Sequence, residues 1–246
     1  MAGSGFGTNF RITTWGETHG AGVGVVVDGC PAGLPLERED VQKYLDRRKP
    51  GQSKYTTQRK EGDQVEILSG IFEGRTTGTP ISMVVYNKDQ RSKDYSNIKD
   101  IYRPGHADFT FDMKYGFRDY RGGGRSSGRE TIGRVAAGAV AAKVLKELGI
   151  EIKAYAKAIA GIEVSKDHFD FAEMNNNPFN MPDKEAAKLV QEKADQMIKE
   201  MDSIGGIIEC QITGMPVGIG ETVFDKLDAE LSKAIMSIGS VKGFEI

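Results

Sequence analysis

Arginine is absent from the last 112 residues of this 246-residue chain, although twelve lysines continue through that stretch. Solubility is served by either cation, so a loss confined to one excludes a purely solvating role for the thirteen arginines at or before residue 134. Arginine carries a rigid bidentate fork for phosphate and carboxylate, whereas lysine is a mobile point charge. Cysteine is also scarce: Cys30 and Cys210 stand alone and far apart, which excludes a disulfide framework and any cysteine-based metal spacing. Each adjoins a strand-like run, so both are expected as buried, reduced thiols. Long apolar runs are missing, since Val23–Val27 is far too short to span a bilayer, and no signal-peptide pattern opens the chain. A cytoplasmic protein without membrane partners is expected. Net charge is only −2 and the pI about 6.0, which argues against bulk polyanion binding.

The charge that is present is concentrated. From Lys43 to Lys60, the cations Lys43, Arg47, Arg48, Lys49, Lys54, Arg59 and Lys60 face Asp46 alone. The densest arginine run is threaded through glycines, with Arg118, Arg121, Arg125, Arg129 and Arg134 around Gly122-Gly-Gly124. Glycine lets backbone N–H groups approach a ligand closely. An apolar helix pattern follows, and a helix N-terminus favours an anion. The segment reads as a phosphate cradle. A solvated basic loop is the plainer reading, and an RNA- or DNA-binding Arg/Gly segment the rival one. Few aromatics interleave with the cations, Tyr55 and Tyr120 being the candidates, which speaks against nucleic acid.

The periodicity predicts strands at Val23–Asp28, Gln64–Ser69, Ile81–Asn87, Glu151–Ile162 and Ile207–Thr213. Helices are expected at Arg38–Arg48, Ile132–Leu148, Lys184–Met201 and Phe224–Ile238, the second apolar on most sides. Gln90–His106 reads as a long functional loop and Asn175–Asn180 as a second loop. Val27–Leu34 and Ile212–Ile219 share an apolar-x-Gly-x-Pro-x-Gly-apolar pattern after a strand and before a helix, with Asp40 and Asp225 in register. This echo suggests an α/β fold of two pseudo-symmetric sheet-and-helix halves, with chance similarity of Gly/Pro turns as the competing explanation.

Three histidines remain to be weighed. His19 lies in a glycine-flanked turn before a strand, His106 in Arg103-Pro-Gly-His106-Ala-Asp108, and His168 in an acidic stretch that reads as solvated surface. His19 and His106 are acid/base candidates because imidazole exchanges protons near neutral pH and a departing phosphate benefits from a donor. No metal-ligand spacing, Gly-x-Ser-x-Gly elbow or Walker loop occurs. The residues by themselves describe an α/β enzyme for a multiply anionic, phosphorylated small molecule, and leave the reaction open.

The same motifs resemble those of chorismate synthase over essentially the whole chain. They include Gly16-Glu-Thr-His-Gly20, Asp46-Arg-Arg-Lys-Pro-Gly51, Leu68-Ser-Gly-Ile-Phe-Glu-Gly74, Arg103–Asp108, the loop at Arg121–Ser127, Asp202–Gly206 and Met236–Gly243. The resemblance implies one α/β domain over residues 1–246, a layered sandwich of antiparallel sheets and helices with pseudo-two-fold symmetry, assembled as a homotetramer. It implies an anti-1,4-elimination of phosphate from 5-enolpyruvylshikimate 3-phosphate to chorismate, with reduced FMN and NADPH as candidate reductant. By resemblance His19 and His106 match the acid/base pair. Arg48, Lys54, Arg103 and Arg129 match substrate contacts, and Arg125, Ser126, Ser127, Gly239 and Ser240 match flavin contacts. Lys54 stands where the family commonly has arginine. Family members also continue past the position of Ile246 with an Asn/Gly/Ser-rich flavin segment and an Arg-His-Asp-Pro-Cys motif. The chain is therefore expected to lack that part, which leaves an inactive, partner-binding form as a further alternative.

Overall fold

A computed structural model describes residues 3–56, 61–88 and 98–246. Arg59, Lys60 and residues 90–97 of the expected long loop lie outside the described residues. The described chain gathers into two compact units. The first comprises residues 3–49, 61–88, 98–148 and 216–246, and the second residues 50–56 and 149–215.

The first unit is built on β1 (Gly5–Phe6), β2 (Arg11–Gly16), β3 (Gly22–Asp28), α1 (Arg38–Arg48), β4 (Val65–Ile67), the hairpin β5 (Ile71–Phe72) and β6 (Arg75–Thr76), and β7 (Ile81–Tyr86). Then come α2 (Asp108–Tyr115) and α3 (Thr131–Glu147). The main sheet runs β1-β2-β3-β7-β4 with every neighbouring pair antiparallel. β3 is central, with Val25 opposite Met83 and Trp15 opposite Gly24, and its Val23, Val25 and Val27 are buried. These valines pack with Val41 and Leu45 of α1 and with Ile132, Ala136, Ala137, Ala139 and Val140 of α3 into one core. Gly133 lets α3 lie close on the sheet, since a Cβ there would fall 2.9 Å from Thr14 Cγ2 and 3.0 Å from the Gly24 carbonyl oxygen. α1 begins where Asp40 accepts from the Glu37 backbone N–H at 3.0 Å, and it stops at Lys49, whose extended backbone is what a following proline demands.

The second unit holds β8 (Glu151–Ile159), β9 (Ile162–Glu163), α4 (Lys184–Glu200) and β10 (Gly206–Thr213), with sheet order β10-β8-β9. Ala156, Met181, Ala186, Ala187 and Val190 form its core. Asp183 caps α4 by accepting from the N–H groups of Glu185 and Ala186. The chain then returns to the first unit through the hairpin β11 (Gly220–Glu221) and β12 (Asp225–Lys226) into α5 (Leu227–Met236).

Several expectations are corrected. The strand foreseen over Glu151–Ile162 turns back at Ala160–Gly161, both with positive φ, giving β8 and β9. The last helix starts three residues later than expected, so Phe224 lies before it and is exposed, and no residue of α5 is buried. α3 is apolar on most sides as expected; it buries Ile132, Gly133, Ala136, Ala137, Ala139 and Val140, and most of its other residues are half-buried. Cys30 is buried as expected, but Cys210 is exposed on β10. The strand β2 and the helix α2 had no period-2 or long 3.6-period signal to announce them. Both Gly-Pro turns of the internal echo follow strands, but Asp40 sits in the first turn of α1 while Asp225 lies in β12.

Candidate acid–base and anion site

The turn from β2 to β3 carries His19, which is buried, and closes with the Gly20 N–H donating to the Glu17 carbonyl at 3.1 Å. Asn87, immediately after β7, holds this turn from the side. Its Nδ2 donates to the carbonyls of Glu17 and Gly20, each at 2.9 Å, and its backbone N–H donates to Ala21. On the other side the arginine loop leans directly on the imidazole. A Cβ at Gly122, whose φ is +80°, would fall 2.6 Å from His19 Cδ2 and 2.8 Å from Nε2. Only glycine permits that approach with that backbone. Thr18 Oγ1 donates to the Gly124 carbonyl at 3.2 Å and joins the two segments again.

From Gly124 the loop winds through single 3₁₀ turns at Gly124–Ser126 and Gly128–Glu130 into α3. Arg125 reaches back to β2, donating to the carbonyls of Gly16 and Thr14 at 3.1 Å and to Thr14 Oγ1 at 2.6 Å. Ser126 Oγ donates to the Gly123 carbonyl, and Ser127 Oγ accepts from the Arg129 N–H. One turn into α3, Arg134 grips Glu130 and donates to Ser237 through Oγ at 2.6 Å and the carbonyl at 3.2 Å. This clasp fixes the end of α5, from which Gly239 and Ser240 follow, against the helix that Arg125, Ser126 and Ser127 precede.

The arginines expected to face a ligand are largely engaged with carboxylates of the chain itself. Asp63, fully buried and at φ +43°, accepts from Arg48 Nη1 at 2.6 Å through one oxygen and from Arg129 Nη1 at 2.8 Å through the other. Arg48 Nε also donates to Thr131 Oγ1. Arg129, itself buried, gives Nε to Asn87 Oδ1 at 2.7 Å, and its Nη2 lies 3.7 Å from Glu61. Among the described residues that Nη2, though buried, has no acceptor within hydrogen-bond distance. A buried donor that faces a carboxylate but makes no hydrogen bond is costly, so an acceptor arriving here gains more than it would at the surface.

The segment before α2 carries the remaining residues. Arg103 makes a bidentate pair with Asp108, both bonds 2.8 Å, and its Nη2 also donates to the Gly122 carbonyl at 3.0 Å. Hydrogen bonds from Arg103, which outweigh burial, and the charge of Arg118 3.7 Å away hold the Asp108 carboxyl down at about 2. Arg121 likewise keeps Asp119 below the usual carboxylate range, with a smaller contribution from His19. His106 is exposed, its Nδ1 3.0 Å from the Pro104 carbonyl and its backbone N–H donating to Arg103. His168 is half exposed beside Glu185, as the sequence suggested.

The structure thus joins His19, Arg103 and the loop bearing Arg125, Ser126 and Ser127 through Gly122 and Gly124. It joins Arg48 and Arg129 through Asp63, and Gly239 and Ser240 to the same helix start through Arg134. Lys54 is not among them. It belongs to the second unit, where its Nζ lies 2.7 Å from Asp195 and Tyr55 Oη donates to the same carboxylate. Asp195 raises the Lys54 pKa, and the charge there is matched within the chain. Sequence reasoning missed Asp63, Asn87 and Asp108. The available signal was stoichiometric, since buried guanidinium groups need carboxylate or amide partners from somewhere in the chain. No group of residues suited to a metal ion occurs among the described residues, and no described helix is long and apolar enough to cross a membrane.

Comparison with known proteins bears on this arrangement. The sequence profile of the chorismate synthase family matches residues 10–246. The chorismate synthase of Lachnospira eligens is 70% identical over 246 residues, which cover 100% of this chain and 67% of that protein. That of Methanococcoides burtonii is 59% identical over 248 aligned positions, covering 100% of this chain and 68% of the relative. A crystal structure of chorismate synthase superimposes with a TM-score of 0.77 at 30% identity, covering 96% of this chain and 68% of that one.

Proposed function

The chain belongs to the chorismate synthase family of lyases, and from that premise we propose that it eliminates phosphate from 5-enolpyruvylshikimate 3-phosphate, giving chorismate for aromatic amino-acid biosynthesis. The observation that carries the proposal is the backbone of Gly122, which touches the His19 ring on one side and accepts from Arg103 on the other. That contact supports reading the shielded His19 as an acid/base group and Arg103 as an anion-binding one. The substrate carries one phosphate and two carboxylates, and the Nη2 of Arg129, which makes no hydrogen bond among the described residues, is a donor suited to such oxygens. Arg48 and Arg103 would add two guanidinium groups whose forks Asp63 and Asp108 hold in place. Lys54, paired with Asp195 within the second unit, is kept as a substrate contact on the resemblance alone.

Reduced FMN fits the same region. Arg125, Ser126 and Ser127 precede the helix whose Arg134 clasps Ser237, so Gly239 and Ser240, which follow Ser237, are proposed to join them as flavin contacts. When bound, the reduced flavin supplies transient electron density to the ring that loses phosphate. His19, shielded by Gly122, would hold or move a proton at an imidazole nitrogen. The exposed His106 donates a proton to the departing phosphate. The homotetramer, the cytoplasmic location and NADPH as flavin reductant rest on family membership alone.

The test is anaerobic phosphate release by the 246-residue chain with chemically reduced FMN. His19→Ala and His106→Ala should each slow turnover roughly a hundredfold, the scale of one general acid or base, with little change in substrate affinity. A His106→Ala protein at full rate removes that residue from the reaction. No phosphate release from the unaltered chain would overturn the assignment of turnover to it.

A further inference from the structure

We infer that Asn87 is a positioning residue that sets the His19 turn and the Arg129 fork in register through its single carboxamide. The inference rests on the roles proposed above for His19 and Arg129. The amide is used from both ends. Nδ2 forks to the carbonyls of Glu17 and Gly20, which bracket His19, and Oδ1 accepts Arg129 Nε at 2.7 Å. The backbone N–H of the same residue adds the bond to Ala21, so Asn87 is fastened to the turn at three points. Its place directly after β7, which pairs with β3, fixes it by the sheet register rather than by loop packing. Gly122 closes the opposite side of His19, so the imidazole is held between a carboxamide-braced turn and a glycine backbone.

The chemistry of the amide makes the proposal specific. No other side chain of this size donates twice to carbonyls while accepting from a guanidinium. Aspartate keeps the shape and the acceptor for Arg129 but turns both donations into oxygen–oxygen repulsions. Alanine removes both ends. The two substitutions therefore separate the His19 function of the residue from its Arg129 function.

The experiment uses the full 246-residue chain, unaltered and as Asn87→Asp and Asn87→Ala, each checked for folding by thermal unfolding. Histidine-labelled protein without ligands is examined by NMR, with the half-exposed His168 as internal reference. The His19 ring signals should shift or split in both variants while those of His168 stay in place. In steady state with reduced FMN, Asn87→Asp should lower kcat roughly a hundredfold, the cost of a small misplacement of a reacting group. Its KM should stay within about threefold, because the contact to Arg129 survives, whereas Asn87→Ala should also raise KM. His19 signals that superimpose across all three proteins overturn the inference, whatever the turnover. Where His19→Ala is slowed, a kcat for Asn87→Asp within about twofold of the unaltered chain also overturns it. A shifted His19 signal together with full-rate His19→Ala would instead leave the positioning intact and refute the catalytic reading on which it rests. Should Asn87→Ala fail to fold, the isosteric Asn87→Asp decides alone.

Discussion

Replacing Gly122 by alanine tests whether the arginine loop really rests on the His19 ring. The new Cβ meets two penalties. The backbone at φ +80° costs an L-residue about 1–2 kcal/mol, partly offset by about 0.4–1 kcal/mol from a stiffer unfolded chain. The Cβ also arrives 2.6 Å from Cδ2 and 2.8 Å from Nε2 of a buried imidazole, and relieving such overpacking costs about 1–3 kcal/mol. Gly116 provides the internal control, because its φ is +71° but none of the described residues lies within 4 Å of its missing Cβ. Gly116→Ala should therefore lose only the backbone part, about 1 kcal/mol or less. Gly122→Ala should lose about 1–3 kcal/mol more than that, a further drop of roughly 2–12 °C in Tm for a protein of this size. Thermal and denaturant unfolding of the two variants gives the difference, and the His19 ring resonances should move only in Gly122→Ala. Equal losses from the two substitutions, within about 0.5 kcal/mol, would show that the loop does not press on the histidine.

Asp63→Asn leaves Arg48 and Arg129 without the buried carboxylate they share, and removing one partner of a buried pair costs about 3–5 kcal/mol. Unfolding in urea should show that loss, and a change below about 1 kcal/mol would mean that the two guanidinium groups find other acceptors. Asp108 gives an acid dependence of known sign. Its folded pKa of about 2 lies below the ordinary carboxylate value, so its contribution is complete above about pH 4 and disappears as pH falls through about 2. Arg103→Gln should flatten stability across that window relative to the unaltered chain, as read from urea midpoints at successive pH values. An unchanged acid slope would show that Arg103 is not what holds the carboxyl ionised.

Local pattern was enough for much of the fold. Val23, Val25 and Val27 announced a buried strand by their β-branched run, and α1 over Arg38–Arg48 was bounded by an acidic first turn and a proline after Lys49. These features depend on neighbours in sequence, so the sequence shows them. β2 was hidden because Thr13, Thr14 and Trp15 do not alternate cleanly; the strand exists because β1 and β3 flank it. Ile152, Ile207 and Ile208 lie in strands that the sequence foresaw, yet they are exposed.

For the site, the sequence alone determined the inventory: thirteen arginines confined to the first 134 residues, two histidines in glycine-bearing turns, and glycines placed where backbone must approach closely. The tertiary structure decided what each does with its charge. It gave Asp63 to both Arg48 and Arg129, Asp108 to Arg103, Thr14 to Arg125 and Asp195 to Lys54. These partners are 15 to 141 residues away in all but one case, beyond the reach of any local spacing rule. A guanidinium looks the same in sequence whether its fork is open or filled. Burial and the geometry of the opposing carboxylate make the difference, and both come into being only when distant segments close around the same helix start.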